Sequence, residues 1–290
     1  MPTKIEKDAV TGQDTTGHEW DGIKELNTPL PRWWLYVFYA TVLISIVYFV
    51  LYPAIPWVTG HTEGLLGYTE RKALDKSMAA LRASRAAYID EIATAPLDEI
   101  RTRPELFRFA AAGGKSAFAD NCAPCHAGGG AGRPGFPSLA DDAWLWGGKL
   151  TDIEQTIRHG VRWEQDEDTR LSEMPRFGGD SILAAAEIEQ LAAYVLSFSG
   201  GATDGADTTA AAALYTEHCA SCHGPAGQGN REVGAPRLAD AVWLYGGGKE
   251  AVARQIAVPR HGVMPAWGGR LDDATIKMLT LYVHSLGGGQ

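Results

Sequence analysis

Cysteine is scarce in this chain: 290 residues contain four, and all four stand in two copies of one pentapeptide. Methionine is nearly as scarce, at five, so a methionine that recurs at matching positions carries weight. Positive charge is in deficit, with 26 Lys and Arg against 35 Asp and Glu and a net charge of −9. That deficit argues against a nucleic-acid binder, which needs a basic face. Sustained apolar–polar alternation is also missing, which predicts a mainly α fold. The rest is ordinary: 45% apolar and 21% charged residues speak against wholesale disorder. The length accommodates two or three modules.

Charge is absent altogether from "WWLYVFYATVLISIVYFVLY", residues 33–52. Twenty helical residues rise about 30 Å, the thickness of a bilayer's hydrocarbon core. Trp33, Trp34 and Tyr36 at one end, and Tyr48, Tyr52 and Trp57 at the other, supply the aromatic belts of a membrane interface. The reading competes with a buried core helix. A cleaved signal peptide fits poorly, because the apolar core is too long and lies behind a largely polar lead of 32 residues. Residues 33–57 are expected to be a retained single-span anchor. Lys24 and Arg32 before it, and Arg71 and Lys72 after it, are a weak guide to orientation.

Beyond the anchor Pro53 and Pro56 stop the helix. "TERKALDKSMAALRASRAAYIDEIAT", residues 69–94, has Leu74, Met78, Leu81, Tyr88 and Ile92 at helical spacing and predicts a helical spacer within residues 58–104. Pro96 and Pro104 fit the first turn of following helices. Two modules follow, residues 105–200 and 201–290, joined through "SFSGGATDGADTTAAA", residues 197–212, whose small polar composition marks a linker.

The modules repeat. Pro137, Leu139, Trp144 and glycines 147–148 answer Pro236, Leu238, Trp243 and glycines 246–247. "SEMPRFGGD" answers "GVMPAWGGR", and "QLAAYVLSFSGG" answers "MLTLYVHSLGGG". Each module reads as a helix entering the cysteine motif, a glycine-proline loop, a short helix, Met-Pro and a closing helix.

Cys122, Cys125 and His126 in the first module, and Cys219, Cys222 and His223 in the second, form C-x-x-C-H. A redox dithiol should accompany a strand–helix–strand pattern, and none is evident. A zinc site would have to join both modules through four thiolates and would leave the repeated histidines unexplained. Covalent haem c explains all three residues: thioethers to the cysteines, and iron ligation by the histidine. Two haems c are expected.

A low-spin electron-transfer haem needs a sixth ligand. Met174 lies 48 residues after His126 and Met264 lies 41 after His223, each in Met-Pro followed by an aromatic residue and two glycines. Methionines are more often core fillers, as Met78 and Met278 are read to be. The matching places of Met174 and Met264 favour ligation, with His159 the alternative sixth ligand. Haem c is assembled outside the bacterial cytoplasm, so the modules are expected in the periplasm and residues 1–32 in the cytoplasm.

The first module carries an acidic insertion, "WEQDEDTRLSEMP", with no counterpart in the second. Residues 113–200 hold 7 basic and 13 acidic groups, against 7 and 8 for residues 201–290. Glu164, Asp166, Glu167 and Asp168 could be a solvated loop or a dock for a basic donor cytochrome c, since clustered charge steers encounter.

"TGHEWDGIKELNTPLPRWW", residues 16–34, followed by one span and two C-x-x-C-H modules, resembles the CcoP (FixP) subunit family of cbb3-type cytochrome c oxidase. The resemblance covers essentially the whole chain. It implies one transmembrane helix followed by two class I cytochrome c-like α domains. It further implies an inner-membrane dihaem subunit, partnered by a monohaem cytochrome subunit and a haem–copper subunit that reduces oxygen and pumps protons, with no catalytic site of its own. The cysteines, the histidines and the two Met-Pro methionines fall where that family carries haem ligands, and exchange of Met174 and Met264 between haems stays open. Two other readings compete: a free-standing anchored dihaem cytochrome, which would not need so long an N-terminal lead, and a dihaem peroxidase, which would need a haem with an open sixth site.

Overall fold

The computed structural model describes residues 4–201 and 208–287; residues 202–207 of the linker lie outside the described residues. The chain divides into two compact units, residues 1–84 and 85–290.

In the first unit a hairpin pairs β1 (Thr15–Trp20) with β2 (Ile23–Leu26). Its turn, Asp21-Gly22, places both residues at positive φ, 49° and 83°, as a tight two-residue turn requires. Sequence periodicity gave no sign of this hairpin, which is short and exposed along β2. Helix α1 (Arg32–Leu51) follows, with every residue from 32 to 51 outside the protein core. It is long and apolar enough to cross a membrane. A second short hairpin, β3 (Pro56–Trp57) with β4 (Gly60–His61), precedes α2 (Glu70–Thr94). Trp57 is thus in a strand and not on the apolar helix.

The second unit is helical: α3 (Leu97–Thr102), α4 (Pro104–Asn121), α5 (Ala123–His126), α6 (Leu150–His159), α7 (Ala185–Ser197), α8 (Thr208–His218), α9 (Ala220–His223), α10 (Lys249–Ala257) and α11 (Asp273–Leu286). Pro104 opens α4 at its first position, whereas Pro96 stands just outside α3 as its N-cap. Helix α6 buries Leu150, Ile153 and Ile157, a one-faced spacing of three and four residues. Asp272 caps α11, its side chain accepting from the Thr275 N–H at 2.7 Å.

Packing does not follow the sequence repeats. Helix α11, which closes the second repeat, lies on α4 and α6 of the first, and α7, which closes the first, lies on α8 and α10 of the second. The α4–α11 crossing is close: a Cβ on Gly114 would stand 2.1 Å from the Met278 carbonyl oxygen. Phe118 and Tyr282 pack there with ring centroids 5.3 Å apart. Their repeat equivalents, Tyr215 and Tyr194, meet at 5.6 Å and the same 59° tilt. One core joins Phe118, Ile153 and Ile157 to Ile276, Leu279 and Val283; another joins Leu191, Ala192 and Val195 to Tyr215, Val252 and Ile256. Each half of the unit is therefore built from both repeats. Fully burying a side chain such as Leu279 or Leu191 contributes about 1.5–3 kcal/mol.

Two crossed candidate haem sites

Helix α4 ends at Cys122, and α5 turns the chain back so that the His126 N–H donates to the Cys122 carbonyl at 2.8 Å. In the second repeat the His223 N–H donates to the Cys219 carbonyl at 2.9 Å. The residue after each histidine has positive φ: Ala127 at 61° and Gly224 at 78°. The loops match beyond that point. The Gly132 and Gly229 N–H groups donate to the His126 and His223 carbonyls, both at 2.8 Å, and the Leu139 and Leu238 N–H groups donate to the Gly130 and Gly227 carbonyls, both at 2.7 Å.

Each motif histidine is oriented by its glycine-proline loop. His126 Nδ1 lies 3.0 Å from the Pro137 carbonyl oxygen and His223 Nδ1 lies 3.0 Å from that of Pro236. A carbonyl can only accept, so Nδ1 carries the proton and Nε2 keeps its lone pair. Burial lowers both histidines' pKa, which favours the neutral form that binds metal. Burial also pushes the Cys122 and Cys219 thiols up to about 11. Neither is a thiolate at neutral pH, the opposite of what a dithiol catalyst needs. Cys125 and Cys222 are exposed.

The methionines sit across the repeats. Met264 packs against the core built on Phe118, Ile153 and Ile157, as Cys122, Leu139 and Trp144 of the first repeat do, whereas Met174 packs against the core that holds Cys219, as Leu238 and Trp243 of the second do. Backbone pairing holds both in place. Met264 exchanges hydrogen bonds with Val161, and Trp267 and Gly268 donate to Ile157 and Arg158 at the end of α6. Reciprocally, Gly178 and Gly179 donate to Ala257 at the end of α10, at 3.1 and 3.0 Å. A Cβ on Gly160, whose φ is 71°, would meet the Met264 carbonyl oxygen at 2.3 Å. This glycine allows the close approach.

His159 and His261 have other engagements. His159 Nδ1 lies 3.0 Å from Asp166 Oδ1, and His261 Nε2 accepts from the Met174 N–H at 3.0 Å. Sequence reading passed over Arg162, Arg170, Trp146 and Tyr245. Arg162 donates to the Gly262 and Ser172 carbonyls at 2.7 and 2.9 Å, and burial lowers its pKa. Arg170 donates to Thr156 Oγ1 at 2.8 Å and stands 5.3 Å over the Trp146 ring. Trp146 lies against Gly234 in the second motif's loop, and Leu244, beside Tyr245, accepts from the Gly135 N–H in the first motif's loop. The repeated "WLWGG" and "WLYGG" was the available signal.

Comparison with known proteins identifies the family. Residues 12–59 match the family described as the N-terminal domain of cytochrome oxidase-cbb3, FixP, and residues 109–195 and 206–283 match cytochrome C oxidase, cbb3-type, subunit III. The chain is 50% identical over 283 residues to the cbb3-type cytochrome c oxidase subunit FixP of Rhizobium meliloti (strain 1021), covering 98% of this chain and 97% of that protein. It is 52% identical over 286 residues to FixP of Azorhizobium caulinodans, covering 98% and 96%. Against subunit CcoP of Azospirillum sp. (strain B510) identity is 50% over 292 residues, with 98% of each chain covered. A mainly helical chain with two cytochrome c domains in tandem, an apolar N-terminal helix and full-length likeness of this order belongs to the CcoP/FixP family of cbb3-type cytochrome c oxidase subunits.

Proposed function

We propose that this chain holds two haems c and carries electrons from a donor cytochrome towards the haem–copper subunit of the oxidase. Cys122 with Cys125, and Cys219 with Cys222, would bind the two haems as thioethers. His126 and Met264 would ligate the first iron, and His223 and Met174 the second. When bound, each haem supplies a one-electron ferric–ferrous couple, and a histidine–methionine pair raises its potential relative to two histidines. The observation that carries the reading is the reciprocal placement of the methionines, each packed against the core that also carries the other repeat's first motif cysteine. A methionine available at both sites would leave neither iron open, which disfavours the peroxidase alternative. The chain's residues otherwise orient and insulate. The Pro137 and Pro236 carbonyls fix the histidine rings, and the half-buried cations Arg162 and Arg170 suit the anionic edge of a haem.

On this reading the anchor is a single span of the bacterial inner membrane, with residues 1–32 cytoplasmic and the haem domains periplasmic. Donor docking falls on the acidic loop. Glu164, Glu167 and Asp168 are exposed, while Asp166 is engaged by His159.

Haem-stained denaturing gels test attachment. Cys122→Ser with Cys125→Ser should leave one covalent haem, and adding Cys219→Ser with Cys222→Ser should leave none. Undiminished staining of the quadruple variant would refute the reading.

A further inference from the structure

We propose that residues 53–68 form a collar seated in the lipid headgroup layer around the end of α1, so that the anchor holds the bilayer by this loop as well as by its span. The proposal rests on the reading that α1 crosses the membrane.

The carbonyls at a helix's C-terminal end lack intrahelical partners, and the need for a substitute is greatest where water is scarce. Here the chain supplies one by turning back. Pro53 has no N–H to extend the ladder, and the Ala54 N–H is directed to Thr62 Oγ1 at 3.3 Å. Instead the Leu65 and Leu66 N–H groups donate to the Val50 and Leu51 carbonyls at 2.9 and 3.1 Å. Gly64 makes the return possible: its φ is 70°, and a Cβ there would lie 2.5 Å from the Leu51 carbonyl oxygen. Tyr68 then meets Tyr52 edge-on at 5.7 Å, and Tyr52 stacks on Tyr48 at 4.7 Å.

This return places Leu65 and Leu66 at the level where the span ends, and the adjoining β3–β4 hairpin leaves Trp57 and Val58 exposed. Trp57 is 74% exposed, Val58 97%, Leu65 79% and Leu66 57%. Residues 53–68 contain one carboxylate, Glu63, and no Lys or Arg. Exposed apolar clusters of this kind mark an interaction site rather than ordinary surface. The occupant follows from continuity. Leu65 and Leu66 are tied by their backbones to the last turn of the span, so they cannot leave the depth at which α1 ends. Tryptophan and tyrosine at that depth are the side chains that favour the headgroup boundary, and a nearly uncharged loop adds little cost on entering it.

The test uses the haem-loaded oxidase in phosphatidylcholine–phosphatidylglycerol nanodiscs. Val58→Cys adds one addressable thiol to this chain, whose native cysteines lie in the haem motifs; wild-type oxidase carried through the same labelling is the control. A nitroxide at this site is compared with labels at Ser45→Cys in mid-helix and at the exposed Val10→Cys, by power saturation with oxygen and with a neutral nickel chelate. A label about 5–10 Å inside the headgroup boundary should lose nickel collisions by about threefold or more relative to Val10→Cys while keeping those with oxygen. Adding Gly64→Ala should restore nickel access at position 58 while the Ser45→Cys label stays oxygen-dominated. Nickel access equal to that of Val10→Cys overturns the collar, as does exclusion of both reagents, which would mean that a protein covers the loop. A nickel-accessible label at Ser45→Cys would sink the span itself and the collar with it.

Discussion

Val161 of the first repeat and Met264 of the second exchange two backbone hydrogen bonds, at 2.9 and 3.0 Å. That two-residue ladder, with Gly160 beneath it, sets the second Met-Pro loop on the first repeat's helix α6. The mirror contact, Gly178 and Gly179 on Ala257, sets the first loop on α10. The predictions below rest on this exchange and on the cores built around it.

Crossed ligation is separable from uncrossed ligation in a chain with one haem. With Cys219→Ser and Cys222→Ser removing the second haem, Met264→His should leave the remaining haem low-spin and lower its potential by a fraction of the roughly 0.8 V that axial ligands span. Met174→His in the same background should leave that potential unchanged. Redox titration reads both, and the reverse pattern would mean that each methionine serves its own repeat.

The α4–α11 crossing should not tolerate a methyl group at its closest point. Gly114→Ala drives Cβ towards the Met278 carbonyl, and separating the helices should cost about 1–3 kcal/mol. A lowered thermal midpoint, followed in the visible haem band, is the expected outcome. An unchanged midpoint would show that the crossing is looser than described.

Ala127 occupies φ 61° and ψ 172°, backbone space that suits glycine, and the second repeat has Gly224 in the matching place. Ala127→Gly should relieve a cost on the order of 1 kcal/mol and raise stability, with the haem spectrum preserved. Chemical denaturation measures it, and a loss of stability would count against the strained geometry.

Lys277 Nζ donates to the Ala93 and Ala95 carbonyls at 2.9 and 2.8 Å, tying the end of α2 to α11. Hydrogen bonds from a charged donor contribute about 1.5–3 kcal/mol, so Lys277→Met should destabilise by about that amount. Hydrogen exchange should quicken at residues 92–95 first. Unaltered protection there would mean that the lysine contributes nothing to the docking.

Electron entry at the acidic loop predicts a salt-dependent defect. Neutralising Glu164, Glu167 and Asp168 should slow reduction by a basic cytochrome c at low salt. The rates should converge as the Debye length falls from about 10 Å at 0.1 M to about 3 Å at 1 M. Asp166→Asn is a different experiment, because its carboxylate holds His159, and it should loosen the loop. Equal rates at low salt for the triple variant would leave the loop as ordinary surface.

Much was legible before any coordinates. Spacing alone marked the two C-x-x-C-H motifs, the two Met-Pro loops and the closing helices, because local chemistry and helical periodicity act within a few residues. The charge-free run from Trp33 to Tyr52 announced a helix long enough to span a bilayer for the same reason. Which repeat each Met-Pro loop packs on was not legible. Two repeats of nearly equal sequence offer nearly equal surfaces, so whether α11 closes on α4 or on α8 depends on long-range packing around Gly114, Phe118 and Tyr282. The tertiary structure alone decides it, together with the burial that turns Arg162 and Arg170 inward and the return of Leu65 and Leu66 to the end of α1. Each depends on residues far apart in the chain meeting in space, which no local pattern records.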